Sequence, residues 1–373
     1  MAVADLDLTP VVQTLRCNVP VRDLRDAARV ASFVAPSKSA SPALQHVKLS
    51  ADAGEIVLEA SSLDADARLR VRANFTLDGS ALVDAKRFAA ALARAKGDAQ
   101  IEMTGTALVV TTDAGRHALP TWPLADFPQL PEPITRPIAT ISSADLARMV
   151  RAVAYAQSQD VTREHLCGAL LERADGVLRM VATDGHRMVV ARVTCPGPDF
   201  SVIVHRAAID TLARVGIDDE PEVMIRLSPD RVHFCAPFVE VTGKRVPAAF
   251  PAFHQVIPSA SCGSITFERK AILGALRAVA TSPRAGVRLD IDNTRGVVRL
   301  TTDDGDGHEA TADVEVSIIG EPPEHVGFAQ RYLRELLDAI DGEYVTLQLN
   351  DNLDPLKVEA ADGTIAVLMP MRI

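Results

Sequence analysis

No run of apolar residues in this 373-residue chain approaches the roughly 20 needed to span a bilayer, which sets aside a membrane-embedded class. The opening stretch MAVADLDLTP has neither a basic start nor an apolar centre, so no secretory signal and a cytoplasmic location are expected. Cysteine is scarce: Cys17, Cys167, Cys195, Cys235 and Cys262 are odd in number and never in CxxC spacing, which points to neither a zinc site nor a disulfide framework. The motifs that cradle phosphates, bind dinucleotides, hold a protease zinc or present a serine nucleophile (GxxxxGK[ST], GxGxxG after a strand, HExxH, GxSxG) are all missing. Acidic pairs such as Asp303-Asp304 and Asp351…Asp354 lack calcium-loop spacing and read as solvated loop acids. No catalytic set, metal or cofactor is expected, and a nuclease or hydrolase built on acidic loops would need a cluster that the sequence does not offer.

What is present is a soluble composition, 47% hydrophobic and 24% charged, and enough length for two or three domains. One pattern occurs three times. VPVRDLRDAARVASFVA (19–35), ISSADLARMVRAVAYAQ (141–157) and ITFERKAILGALRAVAT (265–281) each open on a short extended piece and continue with apolar residues at helical spacing. A hairpin follows each: LQHVKLSA with GEIVLEAS, LCGALLER with GVLRMVAT, and GVRLDIDN with GVVRLTTD. Second helical stretches lie at 84–97, 205–216 and 329–342, and the first two copies close on Phe127-Pro128 and Phe250-Pro251. The expected organisation is α+β, with three repeated domains of two helices and antiparallel sheets, bounded at 1–136, 137–258 and 259–373.

The net charge of -10 argues at first against a nucleic-acid partner. Its distribution argues the other way. The helical segments 22–29, 84–96, 145–151, 206–214, 268–284 and 331–338 carry 17 Lys or Arg against 8 Asp or Glu, leaving the excess of acid to the rest of the chain. Arg22, Arg25 and Arg29 share one helix face by spacing, as do Arg148 with Arg151 and Arg206 with Arg214. A surface segregated in this way attracts a polyanion on one side only.

The stretch RMVATDGHRMVV (179–190) sets Thr183, Asp184, Gly185, His186 and Arg187 between two apolar runs. Asp-Gly between strand-like runs signals a tight turn, and Asp184 at i, i+2 is poorly placed to orient His186 for catalysis. A structural turn and a docking surface both remain open on the residues alone.

VATDGHRM, FPAFHQVIP, LPTWPLADFPQL, GVRLDI and the terminal LMPMRI together resemble the bacterial sliding clamps, the beta subunits of DNA polymerase III, over residues ~15 to 373 in family order. The resemblance implies a head-to-tail homodimeric ring around double-stranded DNA, a processivity factor without catalysis. It also implies a peptide-binding pocket for the polymerase III alpha subunit, other polymerases, the clamp loader and repair proteins. Carried over by position, that pocket comprises Leu166, Thr183, Gly185, His186, Arg187, Met188, Pro251, Val256, Tyr332, Leu353, Val367, Met369, Pro370, Met371, Arg372 and Ile373. Lys38, Lys86, Arg87 and Gln159 fall where the family meets DNA. Departures are Gln255 and Ala329, where Arg and Asn are common, His117 in place of a large apolar residue near the expected subunit contact, a shorter loop after Arg277, and about 14 extra amino-terminal residues. Gln255 and Ala329 admit an alternative, a specialised second clamp with an altered pocket such as an inhibitor-resistant paralogue; His117 and the short loop admit a monomeric adaptor.

Overall fold

The computed structural model describes residues 15–132, 136–216, 221–282, 285–303 and 308–372. The amino-terminal extension, Asp304 and the predicted pocket residue Ile373 lie outside the described residues. Six α-helices are present among the described residues: α1 (Val21–Val34), α2 (Ala85–Leu92), α3 (Ser143–Ala154), α4 (Arg206–Leu212), α5 (Arg269–Ala278) and α6 (Gln330–Ala339), two in each sequence repeat.

Local chemistry sets their limits. In α1 the residues Leu24, Ala28, Ala31 and Val34 are buried while Arg22 and Arg29 are exposed, the pattern of a helix lying on a sheet. Asp84 caps α2 by accepting the Arg87 N–H at 2.8 Å, and Ser142 caps α3 by accepting that of Asp145 at 3.1 Å. Three helices stop earlier than their spacing predicts: the segment 206–214 ends at Leu212, and two others fall short by more. The segment 84–96 leaves the helix after Leu92 and turns into Gly97, whose φ of 66° suits glycine. The segment 268–284 leaves it at Ala278, where Val279 already departs from helical backbone; Pro283 and Arg284 lie outside the described residues.

The chain forms two compact units, Met1–Pro137 with Arg214–Lys244, and Ile138–Ala213 with Arg245–Ile373. The division falls inside the central repeat because strand pairing joins neighbouring repeats. In the first unit a seven-stranded antiparallel sheet runs from Ser80–Asp84 through His46–Asp52, Glu55–Ser61 and Ala65–Arg72 to Val239–Gly243, Arg231–Cys235 and Glu222–Leu227. Arg68 fixes that junction: it donates to Glu59 at 3.0 Å, to Glu240 at 3.1 Å and to Glu132 at 2.7 Å. Burial works to raise the Glu59 carboxyl, but the hydrogen bonds from Lys48 and Arg68 outweigh it and hold it below the usual range. A five-stranded sheet completes this unit, with Gly115–Pro120 on its edge.

In the second unit the hairpin Val177–Thr183 and Arg187–Thr194 continues directly into the last strand of the chain. Arg187 pairs with Leu368, Met188 with Val367, Val189 with Ala366 and Val190 with Ile365. Beneath that seam Leu170, Val181, Met188, Ile203, Phe253 and Val367 form one buried cluster. A further sheet pairs Gly286–Asp292 with Val297–Asp303, which in turn pairs with Glu309–Glu315 as its edge.

Gly168 shows how tightly these strands approach. A Cβ there would sit 2.1 Å from the carbonyl oxygen of Val204 on the neighbouring strand. Gly168→Ala is therefore expected to destabilise the second unit by about 1–3 kcal/mol, read as a lower urea midpoint with an unchanged slope. An unchanged midpoint would show that the strands separate at little cost.

Candidate docking site

The hairpin Val177–Thr183/Arg187–Thr194 turns through Asp184, Gly185 and His186. Gly185 has φ of 93°, where a side chain is strained, and a Cβ would also come within 3.2 Å of the Arg163 guanidinium. Thr183 closes the turn: its hydroxyl donates to the Arg187 carbonyl at 2.7 Å and accepts the Gly185 N–H at 3.1 Å. Asp184 accepts the backbone N–H groups of His186 at 2.9 Å and Arg187 at 3.1 Å, and its second oxygen accepts Arg187 Nε at 2.9 Å. The carboxylate thus shapes the turn and grips Arg187, and it takes the His186 backbone, not its ring.

Arg187 is 5% exposed, an unusual place for a guanidinium. Every side of it is engaged. Besides Asp184 it donates to Glu335 on α6 and to the Tyr155 carbonyl at the end of α3. The plane lies over two rings, 4.3 Å from the Tyr332 centroid and 4.9 Å from that of Tyr155. Burial works to raise the Glu335 carboxyl, but hydrogen bonds from Arg331 and Arg187 outweigh it and hold it below the ordinary glutamate range. Exposed His186 stacks on Tyr332 with centroids 6.0 Å apart.

The terminal segment joins the same turn. The strand Ile365–Leu368 is paired on both sides, with Leu356–Glu359 and with Arg187–Val190, so it is not an edge strand. Past Leu368 the chain leaves the sheet at Pro370, which has no N–H to offer. The Met369 N–H donates to the His186 carbonyl at 2.8 Å and the Met371 N–H to the Gly327 carbonyl at 2.9 Å. Both methionine side chains are 39% exposed, and Arg372 is exposed beyond them.

The structure therefore brings together Thr183, Gly185, His186, Arg187, Met188, Tyr332, Val367, Met369, Pro370 and Met371, with Met188 and Val367 forming the buried floor. Phe253 packs into that floor from the segment that also presents exposed Pro251 and Val256. Leu166 is buried, its carbonyl accepting the Ser158 N–H, and Leu353 is exposed on the Asp351–Asp354 turn. Neither shares a hydrogen bond or ring contact with the 183–187 turn among the described residues. Sequence reasoning missed Tyr155, Phe253 and Glu335 as members of this constellation. Glu335 carried a faint signal, since it follows Arg331 by four residues and accepts its Nε at 2.8 Å; Tyr155 carried none.

Lys38, Lys86 and Arg87 are exposed in the first unit, and Lys86 Nζ donates to Ser37 Oγ at 2.7 Å, which sets the start of α2 beside the loop bearing Lys38. Gln159 is exposed in the second unit. Several helix arginines are less available than their spacing suggests: Arg206 pairs with Asp210 at 3.4 Å and Arg148 with Asp362 at 2.8 Å, while Arg25 meets the Ala95 carbonyl at 3.4 Å. Among the described residues no group of His, Cys, Asp and Glu could hold a metal ion, and no helix is long and apolar enough to cross a membrane.

Arg187→Met should cost about 3 kcal/mol, because it strands Asp184 without its cation and leaves Glu335 with Arg331 alone. The contribution of the Glu335 pair follows the direction of its shift. It is complete above the ordinary glutamate range and fades as pH falls through and below it, so wild type and Glu335→Gln should converge in urea midpoint towards acid. A gap that stays constant from neutral to acid pH would contradict this.

Three family models match in succession: the N-terminal domain of the DNA polymerase III beta subunit over residues 19–131, the central domain over 140–252 and the C-terminal domain over 254–372. The chain is 31% identical to the beta sliding clamp of Proteus mirabilis over 73% of its own length and 76% of that protein. To the beta sliding clamp of Caulobacter vibrioides it is 27% identical over 91% and 95%. Among solved structures it matches a sliding clamp from Pseudomonas aeruginosa bound to griselimycin with a TM-score of 0.81, at 26% identity, covering 96% of this chain and all of that one. It matches the C. crescentus beta sliding clamp, which holds PEG at a putative beta-motif tethering region, with a TM-score of 0.81 at 26% identity, covering 97% and 100%. Three clamp domains in order, each with its pair of helices and antiparallel sheets, place this chain in the family of DNA polymerase III beta subunits, the beta sliding clamps.

Proposed function

We propose that two copies of this chain close head to tail into a ring around duplex DNA and hold polymerases to it through short peptides docked on the 183–188 turn and the 367–372 segment. The observation that carries the docking reading is the joining of these two segments, 180 residues apart in sequence, by strand pairing and by the Met369–His186 hydrogen bond. Exposed Met369, Met371 and His186 above an apolar floor suit leucine or phenylalanine anchors, because methionine reshapes around what it meets. The proposed role is to hold partners on DNA, without catalysis. Clamp loader and repair proteins are expected on the same groove, and the cytoplasm is the expected compartment.

Ring closure is supported by two free sheet edges of opposite charge. Gly115–Pro120 exposes Arg116 and His117, and the strand half 309–315 exposes Glu309 and Glu315, with Asp313 between them paired to Arg299. Unlike edges favour a heterologous contact and disfavour self-pairing of either one. Exposed Lys38, Lys86, Arg87 and Gln159 suit phosphate contacts that position DNA without reading its bases. The relatives carry the ordinary clamp name, which does not favour a specialised second clamp.

Titration with a fluorescent peptide from a polymerase C-terminus should show binding that Met371→Ala weakens by roughly tenfold or more, as truncation of an interface anchor does. Equal binding by the variant would move the docking site elsewhere. Light scattering should give twice the mass of one chain, and Arg116→Glu should shift it towards the single-chain mass; a dimer indifferent to that reversal would reject the edge pairing.

A further inference from the structure

Arg29 on α1, Arg70 and Arg72 on the strand Ala65–Arg72, and Arg214 all line one cleft of about 510 Å³ in the first unit. Its floor is made of valine, leucine and alanine side chains, and Asp23 and Asp26 are the acids in its lining. Two of the guanidiniums lie over aromatic rings, Arg214 at 3.8 Å from the Phe33 centroid and Arg72 at 5.4 Å from that of Phe238. Arg70 is held by Asp52 at 2.7 Å, whereas Arg29 is exposed and forms no ion pair among the described residues.

This combination discriminates among polyanions. A duplex keeps its bases stacked inside and offers only phosphates, so it has nothing to set on the apolar floor and no reason to seat at this cleft over any other basic surface. A single strand can lower a base into a cleft of this size, rest it beside the Arg72–Phe238 stack, and set its flanking phosphates on the rim. The aspartates can accept N–H groups from a base edge. They also offset part of the positive charge of the lining, where Arg70 is already paired with Asp52, which keeps such a contact weak and exchangeable.

We propose that this cleft binds a nucleotide of single-stranded DNA, with Arg29 and Arg72 meeting the flanking phosphates and the base resting on the apolar floor. The inference rests on the DNA reading above and adds a second, strand-specific contact to it.

The test is fluorescence anisotropy with a labelled oligo-dT and a duplex of equal length, across a salt series, for wild type, the Arg29→Ala/Arg72→Gln double variant, and Arg295→Ala as an exposed control in the other unit. The double variant should bind the single strand roughly tenfold more weakly and lose about 1.4 from its log–log salt slope, two contacts at about 0.7 each. Duplex binding should change less than threefold, and the control should match wild type. Equal losses on both DNA forms would reduce the cleft to rim charge and overturn the proposal. Unchanged single-strand binding would overturn it as well, as would displacement of the oligonucleotide by millimolar inorganic phosphate. Wild type that binds duplex but no single strand overturns this inference alone; wild type that binds neither overturns the DNA reading with it.

Discussion

Four residue pairs between Arg187–Val190 and Ile365–Leu368 carry the rest of the candidate site. Through them the last strand of the third repeat becomes part of the sheet of the central repeat, and the segment that follows arrives beside the 184–186 turn. Register matters here because a slip by one residue would turn Val367 and Met188 away from the buried cluster they share with Phe253. Arg187 locks the same place from the side-chain direction, tying turn, α3 and α6 together with one buried cation.

A buried ion cluster of this kind is costly to desolvate, and hydrophobic residues could fill the space at least as stably. What it contributes is position. The guanidinium accepts only one arrangement of Asp184, Glu335 and the Tyr155 carbonyl, so the turn, the end of α3 and the middle of α6 are held in fixed relation. In the first unit Arg68 plays a comparable part, joining Glu59 of the first repeat to Glu240 of the central one. Both junctions use one arginine where strands of two repeats meet.

The helices and hairpins were legible in the sequence because their signals are local: apolar spacing, a capping Ser142 or Asp84, and Gly-containing turns. Helix ends were read four and six residues too far in the segments 84–96 and 268–284. The segments proposed to dock peptides were recognisable as motifs, yet the residues that build their support were not. Tyr155 and Glu335 act through contacts across 32 and 148 residues of chain, and no spacing rule reports those. Charge was legible in total but not in availability, since partners such as Asp210 and Asp362 consume arginines that helix spacing leaves looking free.

The inward commitment of Arg187 has a consequence for traffic. A guanidinium whose three nitrogens are already satisfied has little left with which to read an incoming carboxylate, so in the proposed groove that task falls to exposed Arg372, beside methionines, a histidine ring and backbone. Such a surface discriminates weakly among apolar anchors. Many ligands could then occupy it in turn, and which one sits there at a given moment would follow their relative concentrations and lifetimes, making the socket a point of competition instead of a lock with one key.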